Sequence, residues 1–307
     1  MKCSVLLVRA TSFLLLVLMV SACNSSPKPK KPKEKPKEEL KEELKTPATP
    51  GQVRADAERA SRFGDHASAL AGWQNLLEKN PDDPDALRGL GETYLAAGEP
   101  AMALAVFEQL LARNSKDMDA LEGRALALVS IGRREEARKD IEVLLKVSPP
   151  RWRTLNAMGL LLDLRNERER AMQYYTGALT LRPDHPMILN NMGYSMLMAG
   201  NYVAAEKYFR DGLRTTPDGS RLHANMVLSI AWQGDYARAL SEAVSRQAKE
   251  EALNNIGYIA LLRKDYKAAI SHFEKAMEAS PRWYPRAALN LERARAEAAN
   301  ALAQLPN

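Results

Sequence analysis

The chain has 307 residues, 46% of them hydrophobic, 27% charged and 6% aromatic. That is enough to bury a core in one large domain or two ordinary ones, and the few aromatics argue against a β-rich fold. Gly and Pro, at 16 and 17 residues, exclude a collagen-like or wholly disordered chain, and two Cys exclude a disulfide framework. The net charge of +6 suggests nucleic acid until it is located. Residues 1–23 carry +2 and residues 24–52 carry +3, which leaves a nearly neutral body without a nucleic-acid footprint.

Residues 1–22 read as a signal peptide: Lys2 and Arg9, then the apolar run Phe13 to Val20, then small residues. The run is shorter than the roughly 20 residues of a membrane span. Val20-Ser21-Ala22-Cys23 resembles the bacterial lipobox, in which the thiol of Cys23 is lipidated and becomes the new N-terminus. Acyl chains contribute about 0.8 kcal/mol per buried CH₂, so several of them anchor a chain stably. Asn24, in place of Asp, implies by the same resemblance a periplasm-facing place in the outer membrane. Residues 23–52 form a Pro/Lys/Glu-rich linker. Its prolines favour extended polyproline II, and it holds too little apolar surface to fold alone.

From residue 53 the sequence repeats every 34 residues. Alanines fall at Ala69, Ala103, Ala137, Ala171, Ala205 and Ala239, each five residues after a turn residue: Gly64, Gly98, Gly132, Asn166, Gly200 and Gly234. Four residues after each alanine stand Trp73, Phe107, Ile141, Tyr175, Phe209 and Ala243. Small residues precede them at Ala57, Gly91, Ala125, Gly159 and Gly193, and helix stops follow at Pro81, Ser115, Pro149, Pro183 and Pro217. A seventh unit keeps Gly257, Ala269, Phe273 and Pro281, four residues early, which predicts an irregularity near Ser245–Lys249 with looser packing than in the fifth unit.

The pattern resembles the tetratricopeptide repeat. The resemblance implies an all-α, right-handed superhelical solenoid of seven helix pairs over residues 53–283. Residues 284–307 then supply a capping helix and tail that cover the last apolar face. No group points to catalysis. His66, His185, His223 and His272 lack partners at metal-ligand spacing, and Ser195 lies inside a helix rather than on a strand-to-helix elbow. Phosphate-binding glycine loops are absent. No cofactor, metal, small-molecule substrate or nucleic acid is expected.

The first helices of a repeat line its concave face, and there the later repeats hold Asn156, Asn190, Asn191, Asn225, Asn254 and Asn255, with Tyr194, Tyr258 and Trp232 nearby. Asparagine both donates and accepts hydrogen bonds and is only mediocre within helices, yet it recurs. These nine residues are the candidate peptide-binding set. The same asparagines also suit turns and neighbouring helix ends inside the solenoid, and both roles stay open at this point.

Leu189-Asn190-Asn191-Met192-Gly193-Tyr194, its echo Leu253-Asn254-Asn255-Ile256-Gly257-Tyr258, and Ser280-Pro281-Arg282-Trp283-Tyr284-Pro285-Arg286-Ala287 carry a closer resemblance. With the lipobox and the shortened sixth repeat, they resemble the TadD family of tetratricopeptide-repeat lipoproteins from tight-adherence (Tad/Flp) pilus systems. That implies a pilotin-like role in placing or assembling a secretin, a protein partner held while the lipid contacts the membrane. A type IV pilus pilotin and a periplasmic adaptor for cell-wall enzymes are the alternatives.

Overall fold

The computed structural model describes residues 48–146 and 150–304. The signal peptide, Cys23, the linker up to residue 47, the helix stop at Pro149 and the last three residues lie outside the described ones. The described residues form fifteen helices and no strand, in two compact units, 48–183 and 184–304.

The first unit contains α1 (Pro50–Arg62), α2 (His66–Lys79), α3 (Pro84–Ala97), α4 (Pro100–Arg113), α5 (Met118–Ser130), α6 (Arg134–Leu144), α7 (Trp152–Leu164) and α8 (Arg168–Leu181). The second contains α9 (Pro186–Met198), α10 (Tyr202–Thr215), α11 (Ser220–Gln233), α12 (Tyr236–Ala243), α13 (Lys249–Leu262), α14 (Tyr266–Ala279) and α15 (Pro285–Ala303). Odd-numbered helices are the first members of hairpins and even-numbered ones the second; α15 stands alone.

Proline opens α1, α3, α4, α9 and α15, where its missing N–H costs nothing. α1 begins at Pro50, inside the stretch read as linker. Thr49 and Gln52 close a capping box there, Gln52 N donating to Thr49 Oγ1 at 3.3 Å and Thr49 N to Gln52 Oε1 at 2.8 Å. Each hairpin reverses through a left-handed residue. Glycine takes that role at Gly64, Gly98, Gly132, Gly200 and Gly234, with Asn166 at φ 65° and Lys264 at φ 64° in the other two.

The core follows the small-and-large pattern. Ala69, Ala103, Ala137, Ala171, Ala205, Ala239 and Ala269 are all fully buried. A Cβ on Gly91 would stand 2.8 Å from the Phe107 ring and one on Gly123 only 2.2 Å, so Phe107 fills the space two glycines leave on α3 and α5. Tyr175 packs likewise on Gly159, Phe209 on Gly193 and Phe273 on Gly257. The Tyr175 hydroxyl donates to Asp163 at 2.9 Å, and burial, then the Asp163 charge, push it above the ordinary phenol range.

The expected irregularity is present. α12 has 8 residues where α10 and α14 have 14, and Ala243 takes the place of the aromatic wedge. α15 ends at Ala303 and buries Ala287, Leu291 and Ala294 against the last hairpin.

Phe107→Ala is expected to lower stability by about 3–5 kcal/mol, measured by denaturant unfolding. A loss below about 1 kcal/mol would contradict the wedge.

Candidate partner-binding face

In the first unit the first helices are joined by alternating charges. Arg54 on α1 reaches Asp83 at 2.7 Å and Asp85 at 2.9 Å. Arg88 on α3 reaches Asp117 at 2.9 Å and Asp85 at 3.0 Å. Arg151 meets Asp119 at 2.6 Å and Glu122 at 3.6 Å, and Thr154 Oγ1 donates to Glu122 at 2.6 Å. The aspartates do double duty: Asp117 Oδ1 accepts from the backbone N–H groups of Asp119 and Ala120, both at 3.0 Å, and so caps α5. Burial raises the Asp117 carboxyl. The Ala120 N–H and the Arg88 guanidinium outweigh burial and hold it below the usual carboxylate range. Sequence reading missed this ladder, although Arg54/Arg88, Asp83/Asp117 and Asp85/Asp119 each recur at the repeat spacing.

In the second unit carboxamides replace the charges. Asn225 Nδ2 on α11 donates to Asn190 Oδ1 on α9 at 3.1 Å, and Asn190 Nδ2 lies 3.5 Å from Asn191 Oδ1. Asn290 on α15 donates to Asn254 Oδ1 on α13 at 3.0 Å. Asn254 is fully buried, and its Nδ2 has no partner among the described residues. A lone helix after the last hairpin thus makes the contact that α11 makes on α9.

The nine candidate residues separate into two groups. Asn156, Asn225, Asn254 and Tyr258 are buried. Tyr258 packs in the cluster with Leu291 and Ala294 that α15 completes. Asn190, Asn191, Asn255 and Trp232 are half-buried, and Tyr194 is 37% exposed. Trp232 stacks on Tyr202 with centroids 5.4 Å apart and planes 19° apart. The accessible face of this unit therefore combines carboxamides with aromatic rings, a composition suited to backbone hydrogen bonding and side-chain contact by a polypeptide.

Ser195 is buried within α9. His223 is buried on α11, and burial, with Arg246 adding to it, keeps the imidazole below its ordinary value. Among the described residues no group of three or more His, Cys, Asp or Glu is placed to hold a metal ion, and no helix is long and apolar enough to cross a membrane.

Asn225→Ala is expected to lower stability by about 1 kcal/mol, whereas Asn191→Ala with Asn255→Ala should weaken partner binding and leave the thermal midpoint nearly unchanged. Unfolding of the double variant would assign those two residues to the scaffold. Asp117→Ala should lower stability by about 1–2 kcal/mol at pH 7. The folded carboxyl lies below its unfolded value, so its contribution is complete above about pH 4 and fades as pH falls through the folded value. The gap between variant and wild type should therefore narrow in acid. A gap that widens there would contradict the assignment.

Tetratricopeptide-repeat family models match residues 62–114, 93–150, 156–220 and 250–282. No curated protein matches the chain. Among solved structures, a chain of the APC/C hetero-tetramer Cut9–Hcn1 aligns with TM-score 0.60 and 16% identity over 78% of this chain, which spans 48% of that one. A thermophilic TPR protein of Thermus thermophilus gives TM-score 0.53 at 23% identity, covering 59% of this chain and 99% of that one. A tetratricopeptide repeat protein of Parabacteroides merdae gives 0.50 at 21%, covering 80% and 98%. At these identities the likeness is one of fold. Together with the recurring alanines, wedges and hairpin turns, these matches make the chain a member of the tetratricopeptide-repeat proteins, whose fold is a scaffold for protein–protein contact.

Proposed function

We propose that the protein is an outer-membrane lipoprotein that acts as a pilotin-like scaffold for the secretin of a tight-adherence (Tad/Flp) pilus. The lipid on Cys23 would hold the chain at the membrane, and the Pro/Lys/Glu linker would let the repeats reach a partner. The face with Asn191, Tyr194, Asn255 and Trp232 would hold a secretin segment. Tethering raises the local concentration of that segment at the membrane without any further contact.

The observation that carries this reading is the Ser280-Pro281-Arg282-Trp283-Tyr284-Pro285 stretch after the seventh hairpin, together with a shortened sixth hairpin and a segment that resembles a lipobox. Most tetratricopeptide features serve packing and are common to many scaffolds. Here Tyr284 packs with Leu253, Ala276 and Ala287 at the start of α15, while Trp283 is 70% exposed. An exposed Trp is not explained by packing.

Deleting the gene should remove secretin multimers from the outer membrane and Flp fibres from the surface. Cys23→Ala should still bind secretin in solution yet fail to restore the multimers. Full restoration by Cys23→Ala would refute the anchoring role. Lost twitching with intact Flp fibres would favour the type IV pilus reading. Cell-wall enzymes as partners, with normal secretin multimers, would favour the adaptor.

A further inference from the structure

We propose that Arg282, Trp283, Arg286 and Leu289, at the turn into α15, form a second contact with a bilayer whose headgroups are anionic. The proposal rests on the reading that the chain is anchored at a membrane, and it adds a surface of the folded body to the lipid.

Trp283 is 70% exposed, whereas Trp73 is buried and Trp152 and Trp232 are half-buried. Its neighbours fix how it is presented. Tyr284 packs with Leu253, Ala276 and Ala287, and Pro285 opens α15, so the chain is held beside the indole while the indole itself stays in solvent. Leu289, 66% exposed, follows Arg286 at i+3 and shares its face of α15. Two large apolar side chains therefore stand open beside two cations, an arrangement that packing within the chain does not explain.

Arg282 and Arg286 are exposed and have no ion pair among the described residues. Further along α15, Arg293 pairs with Glu297 at 2.8 Å and Arg295 with Glu274 at 2.7 Å. Helix stability does not account for Arg286 either. α3, α5 and α13 carry Asp85, Asp119 and Glu250 in their first turns, where an acid complements the helix dipole; α15 has no acid there and holds a cation instead. Glu250 and Glu251 lie in electrostatic range of the Tyr284 hydroxyl, but both are half-buried and neither pairs with Arg282 or Arg286.

A bilayer interface answers all four side chains at once. An indole settles at headgroup depth, with its apolar body toward the acyl chains and its N–H toward water. An aliphatic side chain enters beside it, and guanidinium groups take phosphate oxygens of an anionic surface. An acidic peptide would answer the arginines alone. Acylation at Cys23 would keep the body within reach of the surface, so even a weak patch is engaged through local concentration.

The protein for the test is the chain from residue 23 with Cys23→Ala, which keeps the linker and every described residue and carries no acyl chain. It is titrated with vesicles of phosphatidylethanolamine and phosphatidylglycerol, and with vesicles of phosphatidylcholine alone. Binding to the anionic vesicles with a blue shift of tryptophan emission is expected, and no binding to the others. Trp283→Ala should remove the shift. Arg282→Gln with Arg286→Gln should weaken binding about tenfold, the loss implied by two cations near an anionic surface. Both variants should keep their unfolding midpoint, because the replaced side chains are exposed. The linker lysines are the same in all three chains, so undiminished binding by the arginine variant would assign the contact to the linker and overturn the proposal. Equal binding to phosphatidylcholine, a shift that persists in Trp283→Ala, a shift with inorganic phosphate alone, or a shift on an Asp/Glu-rich peptide with none on vesicles would each overturn it as well. Secretin multimers in the deletion strain are a separate readout and the tested chain has no lipid, so this contact and the pilotin reading fail independently.

Discussion

Five of the seven hairpins depend on one steric exchange: a first helix gives up a side chain so that a second helix can insert a ring. Phe107 between Gly91 and Gly123 shows it most plainly, because a Cβ at either glycine would overlap the ring. A glycine inside a helix costs about 1 kcal/mol relative to alanine, and a buried aromatic offsets that several times over. The repeat therefore fixes where two helices touch, and the outward positions of the first helices remain free to vary between units. The proposed partner binding would use that variable surface.

The variation divides the molecule chemically. The first unit joins its first helices with Arg–Asp pairs, while the second joins them with asparagine amides. Both devices satisfy polar groups between neighbouring helices, but they leave different residues at the surface. Paired charges at partly exposed positions contribute little to stability and exchange readily with a partner. Amides bonded to amides are neutral and hold their geometry across changes of salt, which screens exposed charges within about 10 Å. A polypeptide lying along one unit would meet ionic contacts, and along the other hydrogen bonds and rings.

The hairpins were legible in the sequence because packing repeats. The buried alanines, the aromatic wedges and the turn residues all recur at one spacing, and the eight-residue α12 was visible as a four-residue deficit. The start of α1 at Pro50 was missed because a proline and a threonine read as linker until Gln52 completes the capping box. The asparagine positions were legible as a face, but their partners were not. Whether Asn254 meets a visitor or Asn290 depends on how α15 seats, and α15 lies beyond the periodic pattern. The Arg153–Glu92 pair joins residues 61 apart, a separation that no single repeat spacing marks.

The central claim is that a polypeptide partner lies on the first-helix face of the second unit. Site-specific photocrosslinking reads this most directly, with a benzophenone amino acid placed at Tyr194 on α9 or at Val203 on α10, which is 68% exposed on a second helix. Crosslinks to the proposed secretin partner from position 194 and not from position 203 are expected. Crosslinks from 203 with none from 194 would contradict the claim.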